Sequence, residues 1–106
     1  MKELVKQING LKDKARETWS LLDLDTVEIQ LKSLETDMAA PDFWSDQERA
    51  KQVGKQASDL REELDRWRGF LKEVDDLLEL ADSGDETIHD DIATSLDDLT
   101  ARFEKM

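Results

Sequence analysis

The sequence contains no cysteine. Disulfide bonds and metal sites built from thiolates are therefore excluded, and the composition fits a reducing compartment. No run approaches the ~18 consecutive apolar residues that a membrane-spanning helix requires, and the N-terminus has no apolar segment typical of a signal peptide. We therefore expect a cytoplasmic protein that does not associate with membranes.

Residues that break helices are also scarce, with four glycines and one proline among 106 residues. The regular spacing of apolar residues distinguishes this chain from a disordered one, although 40% of its residues are charged. The length is enough for one small domain. These features predict an all-α fold, an antiparallel bundle or set of coiled-coil-like hairpins of about four helices.

Positive charge is outnumbered, and the formal net charge is −12. This balance argues against direct binding of nucleic acid and against an anionic membrane surface, because phosphates would be repelled. The acidic residues are concentrated near the end of the sequence, where residues 75–106 hold eleven acidic and two basic side chains. The last third is therefore expected to present a strongly negative surface.

Apolar side chains recur three and four residues apart in four segments. The clearest segment predicts one long central helix over about residues 46–81, with a heptad seam formed by Ala50, Val53, Ala57, Leu60, Leu64, Trp67, Leu71, Val74, Leu78 and Ala81. Phe70, Leu77 and Leu80 lie beside the seam and are expected to widen the apolar stripe toward a second neighbour. The other segments predict a helix over residues 2–19, a second that Asp25 and Glu28 begin as a capping box, and a fourth from Ile88 onward.

The stretch "APDFWSDQE", residues 40–48, separates the second and third helices. Pro41 is expected to end the second helix, because the residue before a proline is pushed out of the helical region. Ser45 and Glu48 have the spacing of a capping box that starts the third helix. We expect Phe43 to fill the corner between the helices and Trp44 to lie against the guanidinium of Arg49.

No constellation in the sequence indicates catalysis or ligand binding. His89 is the single histidine and has no glycine-rich nucleophile turn near it, so a solvated surface histidine is the better interpretation. The carboxylates around Gly84 lack the spacing of a calcium loop, and no glycine-rich phosphate loop is present. We expect no metal, no cofactor and no active site.

Residues 37–60, "DMAAPDFWSDQERAKQVGKQASDL", carry a resemblance to a known family. With its Pro41, Asp42, Phe43, Trp44 corner, the stretch is similar to the N-terminal domain of bacterial class I peptide chain release factors, and the resemblance extends over the chain from about residue 15. Trp44 directly after Phe43 favours the paralogue that reads UGA and UAA stop codons.

The resemblance implies that residues 1–106 are a single helical N-terminal domain. In the family, this domain contacts the GTPase-associated region of the large ribosomal subunit and the GTPase release factor, and it works with the catalytic and decoding domains in cis. Those domains are expected to be absent here, because the sequence has no two adjacent glycines and so no Gly-Gly-Gln motif for peptidyl-tRNA hydrolysis. The resemblance thus predicts an interaction domain in translation termination that is not itself an enzyme.

An alternative of a different class comes from the regular seam at residues 50–81. Such a seam is typical of a free-standing coiled-coil scaffold or adaptor that dimerises. The two hypotheses differ in where the seam is buried, either within one chain or between two copies.

Overall fold

The computed structural model describes all 106 residues, which form four α-helices and no strand. Helix α1 spans Lys2–Leu21, α2 spans Leu24–Met38, α3 spans Gln47–Asp82 and α4 spans His89–Lys105. Short 3-10 turns occupy Phe43–Ser45 and Glu86–Ile88. The predicted all-α fold is confirmed, and the long third helix lies one residue further along the chain than the predicted 46–81.

The chain divides into two compact units. One comprises Met1–Thr18 and Arg68–Met106, and the other comprises Trp19–Trp67. The single-domain organisation expected for residues 1–106 stays a prediction.

The first unit is a three-helix bundle built from α1, the last part of α3 and α4. Its buried core consists of Leu4, Ile8, Leu11, Ala15, Phe70, Val74, Leu77, Ala81, Ile92, Leu96 and Leu99. Polar contacts across the helices fix their directions: Lys12 Nζ lies 2.7 Å from Asp75 Oδ1, and the amino group of Met1 lies 3.4 Å from Glu86. Because Met1 meets the turn after α3 while Lys12, further along α1, meets Asp75, earlier in α3, these two helices run antiparallel.

The buried face of α3 departs from a strict heptad seam in this unit. Phe70 and Leu77 are 1% and 6% exposed, whereas the seam residues Leu71 and Leu78 are half-buried. Both α1 and α4 pack against this part of α3. The two neighbours together cover a wider apolar face of α3 than a single partner helix would cover along a heptad seam. The expectation that Leu80 joins this face is wrong, because its side chain is 53% exposed.

The second unit has a smaller core. Its buried residues are Leu24, Leu31, Phe43, Ala50, Ala57, Leu64 and Trp67. The predicted seam residues Val53 and Leu60 are half-buried here. Leu64 and Trp67 are 0% and 3% exposed, so the seam is best covered toward the end of this unit.

Helix α2 begins earlier than the predicted capping box of Asp25 and Glu28. The N-cap is Asp23, which has a left-handed backbone with φ 53° and ψ 47°, and its carbonyl accepts from Val27 N at 3.2 Å. The prediction is wrong because Asp25 is occupied otherwise: its Oδ1 accepts a 2.9 Å hydrogen bond from the indole nitrogen of Trp19. The turn between α1 and α2 is therefore closed by a side-chain contact.

Gly84 forms the turn between α3 and α4. Its φ of +73° is a left-handed conformation that glycine adopts without steric cost, and its nitrogen donates to the Ala81 carbonyl at 3.2 Å. Asp85 then caps the following 3-10 turn by accepting from Thr87 N at 3.0 Å. These contacts explain the sequence "DSGDE" as a turn.

Charged side chains lie on the surface of every helix, and none of the buried residues is polar or charged. None of the four helices combines the length with the apolar character that a membrane-spanning segment needs.

Candidate functional site

The corner between α2 and α3 is built from two tight backbone turns. Helix α2 ends at Met38, and Phe43 N donates to the Ala40 carbonyl at 3.1 Å across Pro41. Ser45 N then donates to the Asp42 carbonyl at 3.2 Å, and the Ser45 hydroxyl donates to the same oxygen. Pro41 and Asp42, at the outside of the corner, are exposed to solvent.

Asp46, and not Ser45, caps helix α3. The Asp46 carboxylate accepts from Arg49 N at 3.1 Å, and its carbonyl accepts from Ala50 N at 2.9 Å. The predicted Ser45 cap is wrong because the Ser45 hydroxyl is turned back to the preceding residues. Glu48, predicted at the third helical position, lies in the first turn, where a carboxylate favours the helix dipole.

The two adjacent aromatics have different environments. Phe43 is 1% exposed and Trp44 is 64% exposed, and their rings meet edge to face at 5.0 Å with an interplanar angle of 88°. The guanidinium carbon of Arg49 lies 5.8 Å from the centre of the Phe43 ring. Arg49 therefore lies over Phe43 and not over Trp44 as predicted, because Phe43 is the aromatic that is buried inside the corner.

A groove lies between α3 and α4 in the first unit, and the sequence prediction missed it. It has a volume of about 500 Å³ and is lined by Glu73, Asp76, Leu77, Leu80, Thr94, Ser95, Asp98 and Leu99. The signal that could have indicated the groove is Leu80, an apolar residue among acidic residues of α3, which the sequence predicts to lie in the apolar stripe instead. We call this feature the α3–α4 groove.

An ion pair joins α3 and α4 beside the α3–α4 groove. Arg102 donates to both carboxylate oxygens of Glu73, at 3.0 and 2.6 Å, and lies 3.7 Å from Asp98. The hydrogen bond from Arg102 lowers the pKa of the Glu73 carboxyl. Asp76 is paired with Lys72 at 3.0 Å along the same helix.

The remaining titratable residues do not converge on a common point. His89 Nδ1 lies 3.3 Å from its neighbour Asp90 and is not held by any other helix. No group of three histidine or acidic side chains is placed so that it could hold a metal ion. The pKa of Asp85 is lowered by its hydrogen bonds from Thr87, which reflect its role in the turn.

The chain is therefore all-α, with an aromatic corner in the second unit and an acidic groove in the first. Residues 27–106 match the PCRF domain family, and the chain belongs to this family.

Curated relatives named peptide chain release factor 2 match the same chain. The protein from Frankia casuarinae is 34% identical over 82 residues, which are 77% of this chain and 22% of that protein. The protein from Treponema pallidum is 33% identical over 94 residues, 85% of this chain and 26% of that protein. The protein from Salinispora arenicola is 31% identical over 108 aligned residues, 98% of this chain and 29% of that protein. The chain thus spans less than a third of the length of these relatives.

Proposed function

We propose that this chain is the helical N-terminal interaction domain of a release factor that terminates translation at UGA and UAA codons. The observation that carries the proposal is the PCRF match over residues 27–106, together with relatives named peptide chain release factor 2. The codon assignment is what the resemblance of the Phe43–Trp44 corner implies, and the relatives named peptide chain release factor 2 support the choice of paralogue. Under this proposal, residues 1–106 act as a single domain beside decoding and catalytic domains in cis.

The proposed partners are the GTPase-associated region of the large ribosomal subunit and the GTPase release factor. The acidic surface of α3 and α4 supports contact with basic protein surfaces, because opposite charges favour fast and oriented association. The same surface opposes direct binding to ribosomal RNA. Contacts of the whole factor with RNA are then left to its other domains.

The proposed role of the chain itself is non-catalytic. The sequence has no adjacent glycines that could form the family's Gly-Gly-Gln hydrolysis motif. We expect the chain alone to release no peptide from ribosomes stopped at a UGA codon.

A hybrid protein tests the proposal. The matching segment of the Salinispora arenicola release factor 2 is replaced by this chain, and a second variant lacks the segment altogether. In a reconstituted termination reaction, the hybrid should release peptide at UGA and UAA and be recycled by the GTPase release factor, whereas the variant without the segment should not be recycled. A folded hybrid that is recycled no better than the deletion variant would contradict the proposal, and so would peptide release by the chain alone.

The scaffold alternative depends on a seam free to dimerise. Leu64, Trp67 and Val74 are between 0% and 3% exposed in the single chain, so these seam residues are already buried without a second copy. No observation favours the alternative. Sedimentation that reveals a concentration-dependent dimer would revive it.

A further inference from the structure

Leu80 is the starting point, because it is an apolar side chain exposed inside a groove. Single exposed leucines are common on protein surfaces. Leu80, however, is 53% exposed between Leu77 and Leu99, which are 6% and 5% exposed and form the floor of the α3–α4 groove. The groove therefore offers a small apolar surface at its centre.

The groove continues toward the end of α3. A second hollow of about 390 Å³ is lined by Asp76, Glu79, Leu80 and Ser83, and it shares Asp76 and Leu80 with the first. From Glu73 to Asp82, the last residue of α3, the helix rises about 13.5 Å at ~1.5 Å per residue, which is about two and a half helical turns. A short helix lying along the groove would match this length.

The rim of the groove is negative. Glu73, Asp76, Glu79 and Asp98 are arranged around the leucines, and the nearby cations are Arg102 and Lys72. Arg102 is paired with Glu73 and Lys72 with Asp76, so the excess negative charge beside Leu80 comes from Glu79 and from Asp98, which Arg102 approaches only to 3.7 Å. A partner that covers Leu80 must therefore bring positive charge on either side of an apolar stripe.

We propose that the α3–α4 groove binds a basic amphipathic helix from a second protein, with its apolar side chains on Leu80 and its Lys or Arg side chains facing Asp76, Glu79 and Asp98. Nucleic acid does not fit this surface, because phosphates would meet the carboxylates. A second copy of the chain does not fit either, since each copy carries a net charge of −12. The inference deepens the proposed function by naming a surface for a protein partner, and it rests on that proposal for the existence of such a partner.

A peptide titration tests the groove directly. The probe is a 15-residue peptide of leucine and lysine spaced to form an amphipathic helix, and the control peptide has the same composition in scrambled order. Binding to the 106-residue chain is measured by calorimetry, and amide shifts in the NMR spectrum locate the site. We expect the ordered peptide to bind at least about tenfold more tightly than the scrambled one, with the largest shifts at residues 73–83 and 94–99.

Paired variants separate the groove from general attraction to an acidic protein. Leu80→Glu should weaken binding by about tenfold or more, whereas Ile29→Glu, at an apolar residue that is 68% exposed in the other unit, should leave it unchanged. Glu79→Lys should weaken binding by about threefold or more, and Glu62→Lys, at an exposed position of the same helix, should not. Equal losses in a variant and its control would overturn the inference, as would equal binding of the two peptides.

The groove and the proposed function can fail independently. If the peptide does not bind the groove while the hybrid release factor is recycled normally, the groove inference is overturned and the proposed function stands. If the peptide binds as expected while the hybrid is not recycled, the proposed function fails and the groove stands as a peptide site.

Discussion

Replacing Phe43 with alanine should strongly destabilise the second unit. The ring is 1% exposed and contacts Trp44 edge to face, and large-to-small substitutions of buried phenylalanine cost about 3–5 kcal/mol. We expect a loss near the lower limit, about 3 kcal/mol, because a corner beside exposed residues can partly collapse into the space. A domain of this size has a total stability of about 5–15 kcal/mol, so the loss is a large fraction of it.

Urea denaturation followed by tryptophan fluorescence measures this loss. Trp19, Trp44 and Trp67 all belong to the second unit, so the signal reports on the unit that contains the substitution. With a urea dependence of about 1–3 kcal/mol per molar, the midpoint should fall by roughly 1–3 M.

Two control variants define the expected range. Phe43→Leu keeps most of the volume and should cost about 1.5 kcal/mol or less. Trp44→Ala removes the edge-to-face contact of a ring that is 64% exposed, and should cost about 1 kcal/mol. A loss below about 1 kcal/mol for Phe43→Ala would refute the reasoning, because it would mean that the ring does not fill the corner.

The remaining predictions concern caps, glycines and pH. Asp46→Ala should lower thermal stability by about 1 kcal/mol through the lost helix cap, while Ser45→Ala should cost less than about 0.5 kcal/mol; the reverse order would restore the cap predicted from the sequence. Gly69→Ala should raise stability by about 0.5–1 kcal/mol in calorimetry, since its added methyl meets open space inside a helix, whereas Gly84→Ala should lower it by about 1–2 kcal/mol because of its positive φ. The hydrogen bond from Arg102 lowers the pKa of the Glu73 carboxyl in the folded chain. The ion pair therefore adds its full share to the free energy of unfolding above the ordinary pKa of 4.5, and this share is lost as the pH falls through the lowered pKa. Glu73→Gln should therefore flatten the acid side of the stability curve, by less than about 1 kcal/mol for an exposed pair, and an unchanged curve would count against the ion pair.

The helices could be predicted because their signals are local and repeated. Leu4, Ile8 and Leu11 share one face through their spacing alone, and Ile92, Leu96 and Leu99 do the same on α4. Phe43 could be placed in the corner because it is a large apolar residue in the short segment between the proline that ends one helix and the start of the next. These inferences needed no knowledge of which helices are neighbours.

The caps and the groove could not be predicted, because they depend on contacts between separate parts of the chain. Ser45, Asp46 and Asp25 can all cap a helix, and the choice depends on competing bonds such as that from Trp19 to Asp25. The exposure of Leu80 depends on where α4 lies across α3, which periodicity along one helix does not contain. Sequence spacing gives the face of a helix, whereas contacts between elements decide which of its edges is covered.

The continuity of α3 has a consequence for how its length can change. The helix runs unbroken over Gln47–Asp82 and carries buried residues on both sides of Trp67, the last residue of the second unit. Deleting or inserting one residue between Phe70 and Val74, within the first unit, would turn the later side chains by about 100° around the helix axis and move Val74 out of the core that it shares with Phe70. Differences in length among relatives should therefore fall in the corner at residues 39–46 and in the turn at 83–88. Within α3, a change of surface side chain should therefore be tolerated better than a change in the number of residues.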